Sequence, residues 1–195
     1  MSTAQISPPV ALAVSIEDIQ ASLKLEAGEL AEVMSTVSLA VRGITQEAEH
    51  KTQRSFISRK RRVTLDRFPD VCRLVGAIQL DMGPVQPGVE VKFIDTVGAV
   101  KTLDPQDYDV DDVGVPGWCV PGMGKAWPAT RERMNAVTVD YTAGYGDSAA
   151  DVPECARQYI LLRLADLWDP ATREFKDTPA SKYADRLLDS LVVWA

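Results

Sequence analysis

The sequence predicts an α+β fold in which helices come first, a cluster of short antiparallel strands follows, and helices return at the end. Apolar residues recur at three- and four-residue steps near both ends of the chain, whereas the middle alternates apolar and polar residues with a period of two. Turn-forming residues rather than helices separate the strands, which is typical of antiparallel sheets and not of βαβ units.

The N-terminal part is predicted to be an extended leader followed by two helices. Residues 1–14 include Pro8-Pro9 and form the leader. Ser15, three residues before Asp18, is a capping signal for a short helix that ends near Leu25. A longer helix is expected at about 29–52. Its apolar stripe consists of Leu30, Val33, Val37, Val41, Ile44 and Ala48.

The central part is predicted to be a set of short strands. Residues 57–65 alternate as in a half-exposed strand, with Arg59, Arg61, Val63 and Leu65 on one side. Further strands are expected at 77–80, 89–93, 100–103, 108–110 and 136–142. Residues 113–130 are rich in Gly and Pro and are predicted to be a loop.

The C-terminal part is predicted to be helical. A helix should begin near Pro153 and continue to Trp168, and because it is apolar nearly all round it should be buried. Asp169-Pro170 ends it, and Thr178-Pro179 opens a last helix. One side of that helix carries Tyr183, Leu187, Leu191 and Trp194. We expect helices 29–52 and 154–168 to pack on each other and to cover one face of the strands.

Length and composition indicate one globular domain, 1–195, with a leader at 1–14 and a helical arm at 178–195. Hydrophobic residues make up 46% of the chain and charged residues 25%. The net charge of −7 argues against a dedicated nucleic-acid-binding protein. The three cysteines are far apart, which favours reduced thiols in a cytoplasm. No signal peptide or membrane-spanning run is recognisable, so no membrane association is expected.

Charge is concentrated in two short runs of opposite sign. The basic run comprises Lys51, Arg54, Arg59, Lys60, Arg61 and Arg62. The acidic run comprises Asp104, Asp107, Asp109, Asp111 and Asp112. The basic run has two interpretations: a site that binds phosphates without sequence preference, or a solvated strand face.

No set of residues for catalysis, metal binding or cofactor binding is recognisable. The single histidine, His50, lies between charged residues of a helix and is interpreted as a surface residue. The alternating aspartates resemble the start of a calcium loop, but Asp112 and Trp118 stand where such a loop needs Gly and Glu. We therefore predict no metal and no cofactor. Residues 144–147 are interpreted as a turn in which Gly144 or Gly146 has a positive φ.

The order of short motifs resembles that of phage head–tail connector (adaptor, or head-completion) proteins, which also occur in prophages and gene transfer agents. The matching segments are 64–69 (TLDRFP), 83–85 with 91–95 (GPV and VKFID), 102–108 (TLDPQDY), 127–131 with 135–137 (WPATR and NAV), and 142–147 with 152–154 (TAGYGD and VPE). Each segment is short, but their common order extends over about 15–168. The departures are the long Gly/Pro-rich segment 113–124 and the basic residues 58–62.

The resemblance implies a structural virion protein made in the host cytoplasm. Members of the family form a ring, commonly of twelve subunits, between the portal and the tail or stopper protein, and double-stranded DNA passes through it without sequence-specific binding. They have no catalytic residues. The two charge runs are then candidate surfaces between subunits or toward the DNA channel, and the C-terminal arm is a candidate for docking on the portal.

Three alternatives remain open on the sequence alone. The first is another tail-completion or stopper protein, although those are usually dominated by strands. The second is a non-specific nucleic-acid-binding module that uses the basic run. The third is an enzyme such as a metal hydrolase, which the single histidine and scattered cysteines disfavour.

Overall fold

A computed structural model of the chain describes residues 1–70, 76–168, 183–184 and 186–192. They fall into two compact units, each assembled from separate segments of the chain. The strand unit contains residues 1–8 and 58–144, and the helical unit contains 9–57 and those after 144. Cys72 and the expected helix boundaries at 169–170 and 178–179 lie outside the described residues.

The strand unit contains two antiparallel sheets. Their strands are β1 Ser2–Gln5, β2 Arg59–Leu65, β3 Ile78–Leu80, β4 Glu90–Ile94, β5 Val100–Thr102, β6 Tyr108–Asp111, β7 Gly117–Pro121 and β8 Val137–Ala143. The first sheet has the order β1-β2-β8-β4-β5 and the second the order β3-β7-β6. The outer strands are β1 and β5 in the first sheet and β3 and β6 in the second.

The core of the strand unit follows from the alternation within its strands. Val63, Val91 and Val139 lie across from one another on β2, β4 and β8 and are fully buried. Leu80 and Cys119 of the second sheet belong to the same apolar cluster. Burying this surface supplies the main stabilisation of the unit.

An aromatic group closes one end of this core. Phe68 stacks on Trp127, with ring centroids 4.7 Å apart, and is tilted against Phe93 at 5.9 Å. The indole N–H of Trp127 donates to the carbonyl of Gly76 at 2.7 Å, so the partly buried ring keeps its polar group satisfied.

The helical unit contains α1 Ile16–Leu23, α2 Ala27–Thr52 and α3 Glu154–Trp168. Ser15 caps α1 through its hydroxyl, as the sequence predicts. The predicted stripe of α2 enters a core shared with α1 and α3. Residues of the three helices that are fully or nearly fully buried in this core are Ile19, Val37, Val41, Ala48, Ala156, Tyr159, Ile160 and Leu164.

Three expectations need correction. Residues 2–5 of the predicted leader form strand β1, which pairs with residues 61–64 of β2. The predicted loop 113–130 contains β7, the central strand of the second sheet. As predicted, the stripes of α2 and α3 pack together, and they are buried among residues of the helical unit. The last turn of α3 is exposed, with Leu167 at 48%.

Candidate interface residues

The basic run of the sequence is divided between the two units. Lys51 lies in the last turn of α2 and Arg54 two residues beyond the end of this helix, both in the helical unit. Arg59, Lys60, Arg61 and Arg62 lie in β2 of the strand unit. The two parts of the run therefore have separate surroundings.

Lys51 belongs to a polar cluster that joins α2 to α3. Its ammonium group lies 2.7 Å from the Glu47 carboxylate and donates to the Tyr159 hydroxyl at 3.0 Å. The Tyr159 hydroxyl in turn donates to Glu47 at 3.1 Å. The ammonium of Lys51 and the guanidinium of Arg163 lie 5.4 and 5.6 Å from the ring centre of Tyr159, within range of a cation–π attraction.

These contacts favour the charged forms of both partners. The hydrogen bond from Lys51 holds the pKa of Glu47 below its ordinary value. Burial opposes the charge on Lys51, but its hydrogen bonds to Glu47 and Tyr159 outweigh this and raise its pKa. Lys51 thus already has partners inside the helical unit.

Arg54 connects three segments of the helical unit. Its Nε donates to the carbonyl of Leu191 at 2.7 Å, and a terminal nitrogen donates to the Tyr145 hydroxyl at 3.2 Å. Nearby, the buried Glu49 accepts the N–H of Phe56 at 2.8 Å, which fixes the chain where it leaves α2. The position of Arg54 is therefore explained by contacts within the unit.

The outward side of β2 carries Lys60 and Arg62. Arg62 makes two parallel hydrogen bonds to Asp140 of β8, at 2.6 and 2.7 Å, and these raise its pKa. Lys60 is exposed, and its backbone N–H donates to the Ser7 hydroxyl at 3.1 Å. Of these two cations, Arg62 is paired within the sheet and only Lys60 projects freely into solvent.

The inward side of β2 carries Arg59 and Arg61, on the same face as Val63. Arg59 is 9% exposed and donates to the Gln5 side chain at 3.3 Å. Arg61 forms a hydrogen bond with Tyr141, whose hydroxyl donates to the carbonyl of Asp81 at 2.8 Å. Burial raises the pKa of Tyr141 to about 12, although the neighbouring guanidinium acts in the opposite direction.

The acidic run surrounds strand β6. Asp104 accepts the N–H of Gln106 at 2.9 Å, Asp111 accepts that of Val113 at 3.1 Å, and Asp107 lies 2.6 Å from Lys125. Asp109 and Asp112 are exposed. No group of three or more metal-ligating side chains occurs in the part of the chain that the structure describes.

The described part of the C-terminal arm packs on the helical core. Leu187 and Leu191 are partly buried against it, and Leu188, which the sequence stripe did not include, is 2% exposed. Tyr183 is half-exposed at 53%. Trp194 lies outside the described residues.

Sequence reasoning missed one charged surface, which we name the strand-unit tip: residues 66–67, 96–99 and 131–134. The Asp66 carboxylate accepts the N–H of Asn135 at 2.9 Å, and the N–H of Arg131 donates to the carbonyl of Ile94 at 3.0 Å. Three segments far apart in sequence therefore meet at one end of the first sheet. Acids and bases are mixed in two of the segments, 66–67 and 131–134, and the third, 96–99, carries no charge, so no single stretch of sequence signals the surface.

Comparison with known proteins identifies a shared fold. No family model matches the sequence. No curated protein matches it either. Solved structures do match over the whole chain, and three of them come from particles called gene transfer agents (GTAs).

Three of these structures are informative. A chain in the neck of an empty GTA particle computed with C6 symmetry matches with a TM-score of 0.78 and 19% identity. A chain in the virion of a native GTA particle gives 0.75 and 18%, and one in the neck of a native GTA particle computed with C12 symmetry gives 0.69 and 20%. Each match covers 100% of this chain and 97% of the other. The chain therefore has the fold of these GTA chains.

Among the described residues, no helix is both long enough and apolar enough to cross a bilayer.

Proposed function

We propose that this chain is a structural subunit of the neck of a phage-like particle, a head–tail connector of the adaptor type. The observation that carries the proposal is the match of its whole fold to chains of GTA necks, at TM-scores up to 0.78 with 97% of those chains covered. The ordered motifs between residues 64 and 154 support the same assignment independently. A structural role without catalysis follows, in the virion at the head–tail junction.

The subunit is proposed to form a closed ring of identical copies, with twelve as the expected number. Two of the matching structures are necks computed with C6 and C12 symmetry, which supports a ring. Neighbours in such a ring meet through two different surfaces of each copy. The portal on one side and a tail or stopper protein on the other are the proposed partners.

Charge pairing between the basic and acidic runs is proposed to guide neighbouring copies together, but with fewer residues than the runs contain. Lys51, Arg54 and Arg62 already have partners in their own unit. Lys60 on one copy, with Asp109 and Asp112 on the next, are the exposed members that fit this role. Exposed charges of this kind steer association more than they strengthen it.

Passing double-stranded DNA is proposed to meet a surface that does not hold it. The net charge of −7 disfavours tight phosphate binding. A nucleic-acid-binding module, the alternative function, would need several free cations on β2, and Arg59 and Arg61 face inward while Arg62 is paired.

The C-terminal arm is proposed to dock on the portal through its outward side. Leu187 and Leu191 contact the helical core, so Tyr183 is the described stripe residue that a partner could reach. Trp194 remains a candidate from the sequence.

The decisive experiment tags the full chain in cells that produce the particles and images purified particles by cryo-electron microscopy. We expect label at the neck in twelve copies, and particles without tails when the gene is deleted. Labelled chain that stays outside particles, with normal tails in the deletion strain, would refute the neck assignment. Salt-dependent DNA retention by the isolated monomer would instead support the nucleic-acid-binding alternative.

The charge-pairing proposal has its own test within the same system. Because Arg59 and Arg61 face the core, reversing them would damage the fold, so Lys60→Glu is the suitable variant. It should lower the yield of tailed particles, and combining it with Asp109→Lys and Asp112→Lys should restore it. An unchanged yield for Lys60→Glu contradicts the pairing.

A further inference from the structure

The strand-unit tip combines unpaired cations with exposed apolar side chains. Arg67, Arg131 and Arg133 are exposed, and within the described residues no carboxylate forms an ion pair with any of them. Val97 and Met134 are exposed to 83% and 77%. A surface that is both cationic and apolar suits an acidic protein surface better than it suits bulk water.

The backbone of the tip is fixed, although its side chains are exposed. Asp95, 10% exposed in its side chain, accepts the N–H groups of Val97 and Ala99 and holds the 96–99 turn. The loop at 131–134 is attached to β4 through the Arg131 N–H and to the end of β2 through Asp66 and Asn135. The tip therefore presents its arginines on a pre-organised support, which lowers the entropic cost of binding.

A surface of opposite character lies at the start of α2. Glu26, Glu29 and Glu32 are exposed there, and among the described residues none of them has a cationic partner. Glu26 and Glu29 form a capping box, so the helix start accounts for those two carboxylates. Glu32, in the second turn, caps nothing, and the neighbouring exposed Ala27 and Ala31 leave room for close approach.

We infer that the strand-unit tip of one copy binds the first two turns of α2 in the neighbouring copy of the ring. This inference rests on the proposed function. Tip and helix start are different surfaces, so the contact is heterologous and can repeat around a closed ring. The arginines match the glutamates in charge, and Val97 with Met134 supply the apolar part.

DNA is the other anionic partner that the strand-unit tip could bind in place of a second copy of the chain. Phosphates use the arginines of the tip but make no use of Val97 and Met134. The side chains at the tip therefore favour a protein surface.

The test is a charge swap in the full-length chain, scored by the yield of tailed particles. Arg131→Glu with Arg133→Glu should lower that yield by at least about tenfold, since like charges would face each other. Glu32→Lys with Glu29→Gln should also lower it, and Gln at 29 keeps the capping acceptor. Combining both pairs should recover most of the loss. Arg42→Glu, an exposed reversal elsewhere on α2, is the matched control and should assemble normally.

Each other outcome counts against the inference. Normal yield from Arg131→Glu with Arg133→Glu removes the tip from the interface. If the yield of tailed particles falls in both double variants and does not recover when they are combined, α2 is not the partner of the strand-unit tip. Circular dichroism establishes that each variant is folded. Intact rings with weakened DNA retention would assign the tip to DNA. Absence of the wild-type chain from necks would refute the proposed function itself. The location of the wild-type chain is therefore determined before any variant is tested.

Discussion

Asp95 is a single carboxylate that organises the whole β4–β5 hairpin. One of its oxygens accepts the N–H groups of Val97 at 3.0 Å and Ala99 at 2.9 Å, and the other lies 2.9 Å from Lys101. The hydrogen bond from Lys101, followed by that from Ala99, lowers the pKa of Asp95 below its ordinary 3.8. The ionised form is therefore the one that stabilises the turn.

Stability should depend on the ionisation of Asp95 in a predictable direction. Since its pKa is lower in the folded chain than in the unfolded one, its stabilisation is complete above the unfolded pKa and is lost as pH falls through the folded pKa. We expect Asp95→Asn to lower the melting temperature at pH 7, and the gap from wild type to shrink below about pH 4. Thermal melts between pH 7 and 3 measure this. Asp112→Asn, at an exposed site, is the control, and a gap independent of pH would contradict the prediction.

The glycine turn after β8 makes a second prediction for single residues. Gly144 has a φ of 141°, which confirms the expectation of a positive φ in this turn, and a Cβ added at Gly146 would overlap the Asp151 carboxylate. Gly144→Val and Gly146→Val should each lower the free energy of unfolding by at least about 1–2 kcal/mol. In the middle of α2, a Cβ added at Gly43 would meet no atom of another part of the chain within 4 Å, so Gly43→Ala should raise the free energy of unfolding by about 0.5–1 kcal/mol. Urea titration measures all three, and wild-type stability in both valine variants would contradict the argument.

At the scale of elements, sequence patterns predicted those with strong local signals. Helix α2 was evident from its apolar stripe, and most strands from their alternation. Strand β7 was missed because Pro116, Gly117 and Pro121 at its ends read as turn residues, while its central position depends on pairing with β3 and β6. Strand β1 was missed because none of its side chains is buried and it is held by backbone pairing to β2.

Candidate sites were harder to predict than elements, for a physical reason. The partners of Lys51 and Arg54 include Tyr159 and Leu191, more than 100 residues away in sequence. Charge density along the sequence identifies where cations are common, but only the folded chain determines which are already neutralised. The same limit hid the strand-unit tip, since its three segments become neighbours through sheet pairing.

The C-terminal arm gives the prediction at the scale of elements. Leu188 is 2% exposed in the helical core, so Leu188→Ala should lower the free energy of unfolding by about 2–5 kcal/mol. Tyr183→Ala, at a half-exposed site, should change stability little but weaken attachment to the portal if the arm docks there. Chemical denaturation measures the first effect and co-purification with portal the second. Truncation after Pro179 would mix the two effects, and an unchanged Leu188→Ala stability would show that the arm does not stabilise the core.

At the scale of the whole molecule, neither compact unit is a continuous stretch of chain. The chain begins in the strand unit, leaves it after Pro8, returns at Ser58 and leaves again after Gly144. Residues 9–57 separate the paired strands β1 and β2 in sequence, and residues 58–144 lie between the packed helices α2 and α3. When one unit folds, the ends of the segment that interrupts the other unit are brought closer together. This lowers the entropic cost of loop closure in the other unit.

Because each unit closes a long loop of the other, we predict one cooperative unfolding transition, as the single-domain expectation for 1–195 requires. Calorimetric and van't Hoff enthalpies should agree. Val139→Ala in the strand unit should lower the melting temperature by the same amount whether unfolding is followed by helical circular dichroism or by tryptophan fluorescence. Leu164→Ala in the helical unit, equally buried, should do likewise. Two transitions, each moved by only one of these variants, would show that the units unfold independently and that the chain has two domains.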